Sequence, residues 1–112
     1  MDAFQALADP IRRDIVALLG RGERTASEIF ACFDIADPSV SRHLKVLRES
    51  GLIAYRKQAQ SRIYRLEVDA LDETRRWMQA HVDACRSRFD RLGAHLDRMK
   101  KAETKRDKRR KG

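Results

Sequence analysis

The chain has 112 residues, 42% of them apolar and 38% charged, which is room for one domain, or one domain and a tail, whose small core several helices or a partner chain must share. No apolar run nears the ~18 residues of a membrane span and none follows Met1, so a cytoplasmic protein is expected; two cysteines, Cys32 and Cys85, make neither a disulfide framework nor a four-cysteine zinc site. A net charge of +8 points towards a polyanion partner.

The first stretch, DAFQALADPIRRDIVALLG, has helical period but is broken by Pro10. Asp9-Pro10 reads as the end of one helix and the start of the next, with proline at the first helical position. In that second helix Ile11, Ile15, Leu18 and Leu19 form one buried stripe, and Gly20 and Gly22 end it. Thr25 and Glu28 have capping-box spacing before a short helix that carries Ile29, Phe30 and Phe33. Asp37-Pro38 repeats the start signal, so a further helix is expected over residues 38–50, with Asp37 as its N-cap and Gly51 just past its end. Val40, Leu44 and Leu47 share its inner face. Ser39, Ser41, Arg42, Lys45 and Glu49 project from the other side, with Arg48 on the flank. A helix, a tight turn and a second helix with a basic outer face is the helix-turn-helix arrangement.

After Gly51 the period changes to alternation. Residues 52–57 and 62–66 read as two strands joined by Gln58-Ala59-Gln60-Ser61, a hairpin with basic side chains that suits a phosphate backbone. Asp69 then caps a helix expected from residue 70 to about 100, with apolar positions Leu71, Met78, Val82, Cys85, Phe89, Leu92, Leu96 and Met99 spaced by threes and fours. At ~1.5 Å per residue such a helix is ~45 Å long, too long to bury its stripe on so small a body. Phe4 and Leu7 on the first helix also need cover. A symmetric homodimer through the first and last helices meets both needs. The interface expected on this reading includes Phe4, Leu7, Met78, His81, Val82, Cys85, Phe89 and Leu92.

Charge follows the same organisation. Residues 39–66 hold seven basic side chains against one acidic, and residues 97–112 hold nine against three; residues 1–38 and 67–96 are near neutral or acidic. Nucleic acid is the simplest partner for the first block. The second reads as a basic, disordered tail at residues 101–112 behind a domain at residues 1–100. The fold class expected is therefore mainly α with a small β-hairpin.

The segments FQALADPIRRDIVALL, PSVSRHLKVLRESGLI and RIYRLEVDAL resemble, in order and spacing, the ArsR family of small dimeric winged-helix transcriptional repressors. The resemblance implies that the helix at residues 38–50 reads the major groove of double-stranded DNA, that the hairpin at residues 52–66 is the wing, and that the first and last helices form the dimer. It places Ser39, Ser41, Arg42, His43 and Lys45 on the DNA face of the recognition helix and Lys57, Gln60 and Arg62 on the wing. Their chemistry agrees: Arg42 and Lys45 suit guanine O6 and N7 or phosphate, and the serines suit phosphate or base edges. His43, beside the inner stripe, has either a packing or a DNA-contacting role. A dimer of this kind reads an inverted-repeat operator, and metal-free relatives of this type are often autorepressors.

Metal-sensing members of the family often carry a Cys-x-Cys pair ahead of the recognition helix, or an Asp-x-His pair followed by a second histidine and an acid on the last helix. Here the first region reads RTASEIFACF with Cys32 alone, and Gln79 stands two before His81. Neither site is reproduced, so no metal and no cofactor is expected, and no inducer is named. His81 and Cys85 share one helix face, and Cys32 with Cys85 makes a possible thiol pair; these define an alternative, a metal- or thiol-responsive repressor. An enzyme is not expected, because no Gly-rich phosphate loop and no nucleophile–base set lies outside the DNA-binding and packing faces. A nonspecific basic nucleic-acid-binding protein is the other competing class. It would need exposed aromatics for stacking, and Phe4, Phe30, Phe33, Trp77 and Phe89 sit at helical positions suited to burial, which leaves Tyr55 and Tyr64 on the hairpin.

Overall fold

The structure, a computed structural model, describes the backbone of residues 1–111 and the side chains of residues 1–102. Its elements are α1 (Ala3–Ala6), α2 (Pro10–Leu19), β1 (Arg24–Thr25), α3 (Ala26–Ala31), α4 (Asp37–Glu49), β2 (Ile53–Gln58), β3 (Ser61–Leu66) and α5 (Val68–Lys111). The fold is mainly helical, with one antiparallel three-stranded sheet in the order β1-β3-β2. Two compact units divide the chain, residues 1–75 and residues 76–112, with the division inside α5.

Local chemistry accounts for most boundaries. Asp2 and Gln5 cap α1 reciprocally, and Thr25 and Glu28 do the same for α3. Asp9 accepts from the Ile11 and Arg12 amides at 2.8 and 3.2 Å, ahead of Pro10. Gly51, at φ 82°, closes α4 in a Schellman motif: its amide donates to Arg48 and the Leu52 amide to Leu47, both at 3.1 Å. Leu47 and Leu52, the apolar pair that accompanies this motif, are both fully buried.

The structure differs from expectation at several boundaries. Asp37 is the first residue of α4 rather than its cap; Ala36 holds that place and makes no side-chain cap bond. Asp69 likewise lies inside the first turn of α5, where a carboxylate still complements the helix dipole. The strands reach Gln58 and Ser61, so the turn is only Ala59-Gln60. Strand β1, two residues long, carries no periodic signal and pairs Arg24 with Tyr64 and Thr25 with Ile63. Helix α5 continues to Lys111, past the expected end near residue 100, and the side chains of the expected tail beyond Ala102 lie outside those described.

The core of the first unit gathers Ala6, Ile15, Val16, Leu19, Ile29, Val40, Leu44, Leu47, Leu52, Ile53 and Tyr64. Ile11, Leu18, Phe30 and Phe33 pack around it half-buried, whereas Val16 takes a fully inward place. Tyr64 is buried and Tyr55 half-buried, so the hairpin offers no exposed aromatic pair. No helix among the described residues is long and apolar enough to cross a membrane.

Candidate nucleic-acid interface

On α4 the inner stripe of Val40, Leu44 and Leu47 fixes which side chains face outwards. Ser41, Arg42 and Lys45 are exposed, and Ser39 and His43 are half-buried on one flank of the helix. The side chains of Arg42, Ser39 and Ser41 make no hydrogen bond or ion pair among the described residues, and Lys45 meets Glu49 only at 4.0 Å with both side chains largely solvated. An exposed i,i+4 pair of this kind contributes about 0.3–0.5 kcal/mol, so it leaves the ammonium available to a phosphate.

The hairpin places its charges by register. Tyr55 opposes Tyr64 and Lys57 opposes Arg62, so these four side chains share one face of the sheet. The guanidinium of Arg62 lies 4.8 Å from the Tyr55 ring centroid, and that of Arg48, from α4, lies 5.1 Å from it. Tyr55 thus joins α4 to the base of the hairpin through two cation–π contacts. Lys57 and Gln60 are exposed at the tip. Arg56, on the opposite face, is paired with Glu23 at 2.7 Å.

The other flank of α4 is held by a residue that sequence reasoning passed over. Arg12 Nε donates to the Ala6 carbonyl at 2.7 Å, Nη2 to the Gln5 carbonyl at 3.2 Å, and Nη1 to His43 Nδ1 at 3.2 Å. One guanidinium therefore ties the end of α1 to α4. The signal available in the sequence was only an arginine two residues past a proline start, which reads as surface charge. Burial pushes the nearby Asp9 carboxyl upwards, but hydrogen bonds from the Arg12 and Ile11 amides, with the Arg12 guanidinium nearby, outweigh it and hold the group below its ordinary value. The Thr25 amide holds Glu28 low in the same way.

The residues expected at a dimer interface divide in two. Leu7 packs half-buried against the core of the first unit, and Phe4 is 40% exposed. On α5, Met78, His81, Val82, Cys85, Phe89 and Leu92 are all exposed, as are Trp77, Leu96 and Met99. His81 Nδ1 lies 3.1 Å from the Trp77 carbonyl, and its ring stacks on Trp77 with centroids 3.7 Å apart. Cys32 and Cys85 are both free and exposed. Among the described residues no three His, Cys, Asp or Glu side chains are grouped as metal ligands.

Comparison with known proteins agrees with this geometry. Residues 7–56 match the family model described as a helix-turn-helix domain. The transcriptional repressor SdpR of Bacillus subtilis is 36% identical over 77 residues, covering 69% of this chain and 86% of its own. The arsenical resistance operon repressor of Escherichia coli is 39% identical over 89 residues, covering 72% of this chain and 76% of its own. Among solved structures, an ArsR-like transcriptional regulator from Rhodococcus superposes with a TM-score of 0.70 at 25% identity, over 88% of this chain and 87% of that one. Another ArsR-family regulator gives 0.65 at 38% identity, over 71% and 82%. With the winged helix-turn-helix, its basic outer face and these relatives together, the chain belongs to the ArsR family of DNA-binding transcriptional repressors, and is not an enzyme.

Proposed function

We propose that the chain acts in the cytoplasm as a homodimeric repressor of its own operon. In this reading two copies of α4 enter successive major grooves of an inverted repeat, and the β2–β3 hairpins lie on the flanking phosphates. The observation that carries it is the joint presentation of Arg42 and Lys45 on α4 with Lys57 and Arg62 on one hairpin face, the two elements joined through Tyr55. Ser39, Ser41, His43 and Gln60 complete the DNA-contacting set, and only Arg42 and Lys45 have the reach and charge for a guanine edge. The exposed stripe of α5, together with Phe4 and Leu7, supplies the dimer surface.

The test is selection from a randomised duplex pool by the full chain, followed by anisotropy titration at two salt concentrations with excess random duplex. Enrichment of an inverted repeat with half-sites about one helical turn apart, bound by two chains, is expected. A pool that yields no enriched sequence would falsify the operator reading and leave a nonspecific basic protein. Binding of the enriched sequence to DNA upstream of the chain's own gene checks autorepression.

A further inference from the structure

His43 is a half-buried polar side chain of the recognition helix whose orientation is set from another element. A guanidinium has five N–H donors and no acceptor, so the contact between Arg12 Nη1 and His43 Nδ1, at 3.2 Å, has a single direction: the histidine accepts. A neutral imidazole that accepts at Nδ1 carries its hydrogen on Nε2. No buried side-chain nitrogen or oxygen of the described residues lacks a partner, and Nε2 has none, so this second nitrogen reaches solvent. It does so on the flank of α4 that Ser39 shares one turn earlier. Arg12 is itself held in place: Nε donates to the Ala6 carbonyl at 2.7 Å, which has no helical partner, and Nη2 to that of Gln5 at 3.2 Å. Its planar fork therefore cannot turn away from His43 without releasing the end of α1.

We infer that Arg12 is a positioning residue for DNA recognition: it locks the His43 ring with Nε2–H presented as a donor to an acceptor oxygen or nitrogen of the duplex. The inference rests on reading α4 as the helix that meets DNA. It gives His43 both of the roles that its sequence position left open, one per ring nitrogen. It also makes α1 part of the recognition apparatus, because the same guanidinium closes that helix.

Three variants of the full chain test this. Arg12→Met keeps an apolar stem but loses every donor. His43→Asn keeps an acceptor near the Nδ1 position and loses the outward donor, and His43→Gln does the reverse. Ring-nitrogen NMR of the wild-type chain should show an unprotonated Nδ1 and a protonated Nε2, and Arg12→Met should turn this into a mixture of tautomers. On a duplex selected by the wild-type chain, His43→Asn should bind about tenfold more weakly, the loss of one hydrogen bond to a charged or polar acceptor. His43→Gln should recover a good part of that loss. Arg12→Met should weaken binding by a similar factor in the wild-type chain and by much less in the His43→Gln background. An equal loss on random duplex assigns the acceptor to a phosphate, and a loss confined to the selected duplex assigns it to a base edge; either supports the inference.

An Nδ1-protonated ring in the wild type overturns it. So does unchanged affinity in His43→Asn, or an Arg12→Met effect of the same size in both backgrounds, which is what a purely structural arginine gives. If the wild-type chain enriches no duplex, the functional reading fails and this inference falls with it. If it enriches one and the variants bind it unchanged, the inference alone fails.

Discussion

Residues 1–75 and the part of α5 beyond Arg75 have similar amphipathic sequence patterns but opposite fates. The first unit encloses its stripes: Ile15, Ile29, Val40, Leu47, Leu52 and Ile53 are essentially inaccessible. Along the second, Trp77, Met78, Val82, Phe89, Leu92, Leu96 and Met99 are all exposed, Phe89 to 70%. The reason is geometric. Four helices and a sheet can surround a shared interior, whereas one helix with one apolar stripe has nothing of its own to close against. Positions 78, 82, 85, 89, 92, 96 and 99 alternate steps of four and three, the spacing of a coiled-coil seam. The first unit's stability is therefore a property of the single chain. If the seam pairs with a second copy, as proposed, that of the second depends on protein concentration.

The largest effect that would sharpen this contrast is in the core. Leu47→Ala removes a buried side chain that also closes the Schellman motif, and should cost about 2–5 kcal/mol, read as a fall in urea midpoint that does not vary with protein concentration. The paired change on the other side is Phe89→Ala with Leu92→Ala. It should leave unfolding of the first unit in place while raising the dimer dissociation constant at least tenfold in sedimentation equilibrium. If this double variant instead destabilises the chain as Leu47→Ala does, independently of concentration, the stripe is closed within one chain and the contrast fails.

Within the first unit the same logic separates α4 from the wing. Arg42→Ala should lose about 1–3 kcal/mol on the selected duplex and little on random duplex, because a bidentate guanine contact carries base preference. Lys57→Ala should weaken every duplex alike and flatten the salt slope by about one, because a phosphate contact carries charge alone. Identical behaviour of the two variants on both duplexes, by anisotropy, would mean that helix and wing play the same role.

How much of this was legible in the sequence depends on whether the signal was local. The Thr25–Glu28 box, the Asp9-Pro10 start, Gly51 and the Val40/Leu44/Leu47 stripe each involve residues within one or two turns, and each is found where the pattern put it. The Asp37 and Asp69 caps are displaced by one or two residues because an aspartate inside the first turn satisfies the same dipole as one at the cap. What was not legible is long-range. The Arg12–His43 bond spans 31 positions and the Arg56–Glu23 pair 33, and nothing in the local pattern distinguishes these arginines from Arg13 or Arg21. The two-residue strand β1 owes its existence to Ile63 and Tyr64 on β3 rather than to its own sequence.

The smallest predicted effect lies at the hairpin tip, where local chemistry and observed structure disagree. Ala59 sits at φ 55° as the first of the two turn residues, the place that a type II′ turn reserves for glycine. A Cβ there is strained, and glycine relieves that strain at the cost of a more flexible unfolded chain. The balance favours Ala59→Gly by about 0.5–1 kcal/mol, visible as a small rise in Tm. Because Lys57 and Arg62 are placed by the β2–β3 register and not by the turn itself, affinity for random duplex should not change. A fall in Tm would show that the tip is held by its side chains rather than by its turn. Weaker binding at unchanged Tm would show that the turn residue, and not the register, presents the wing to DNA.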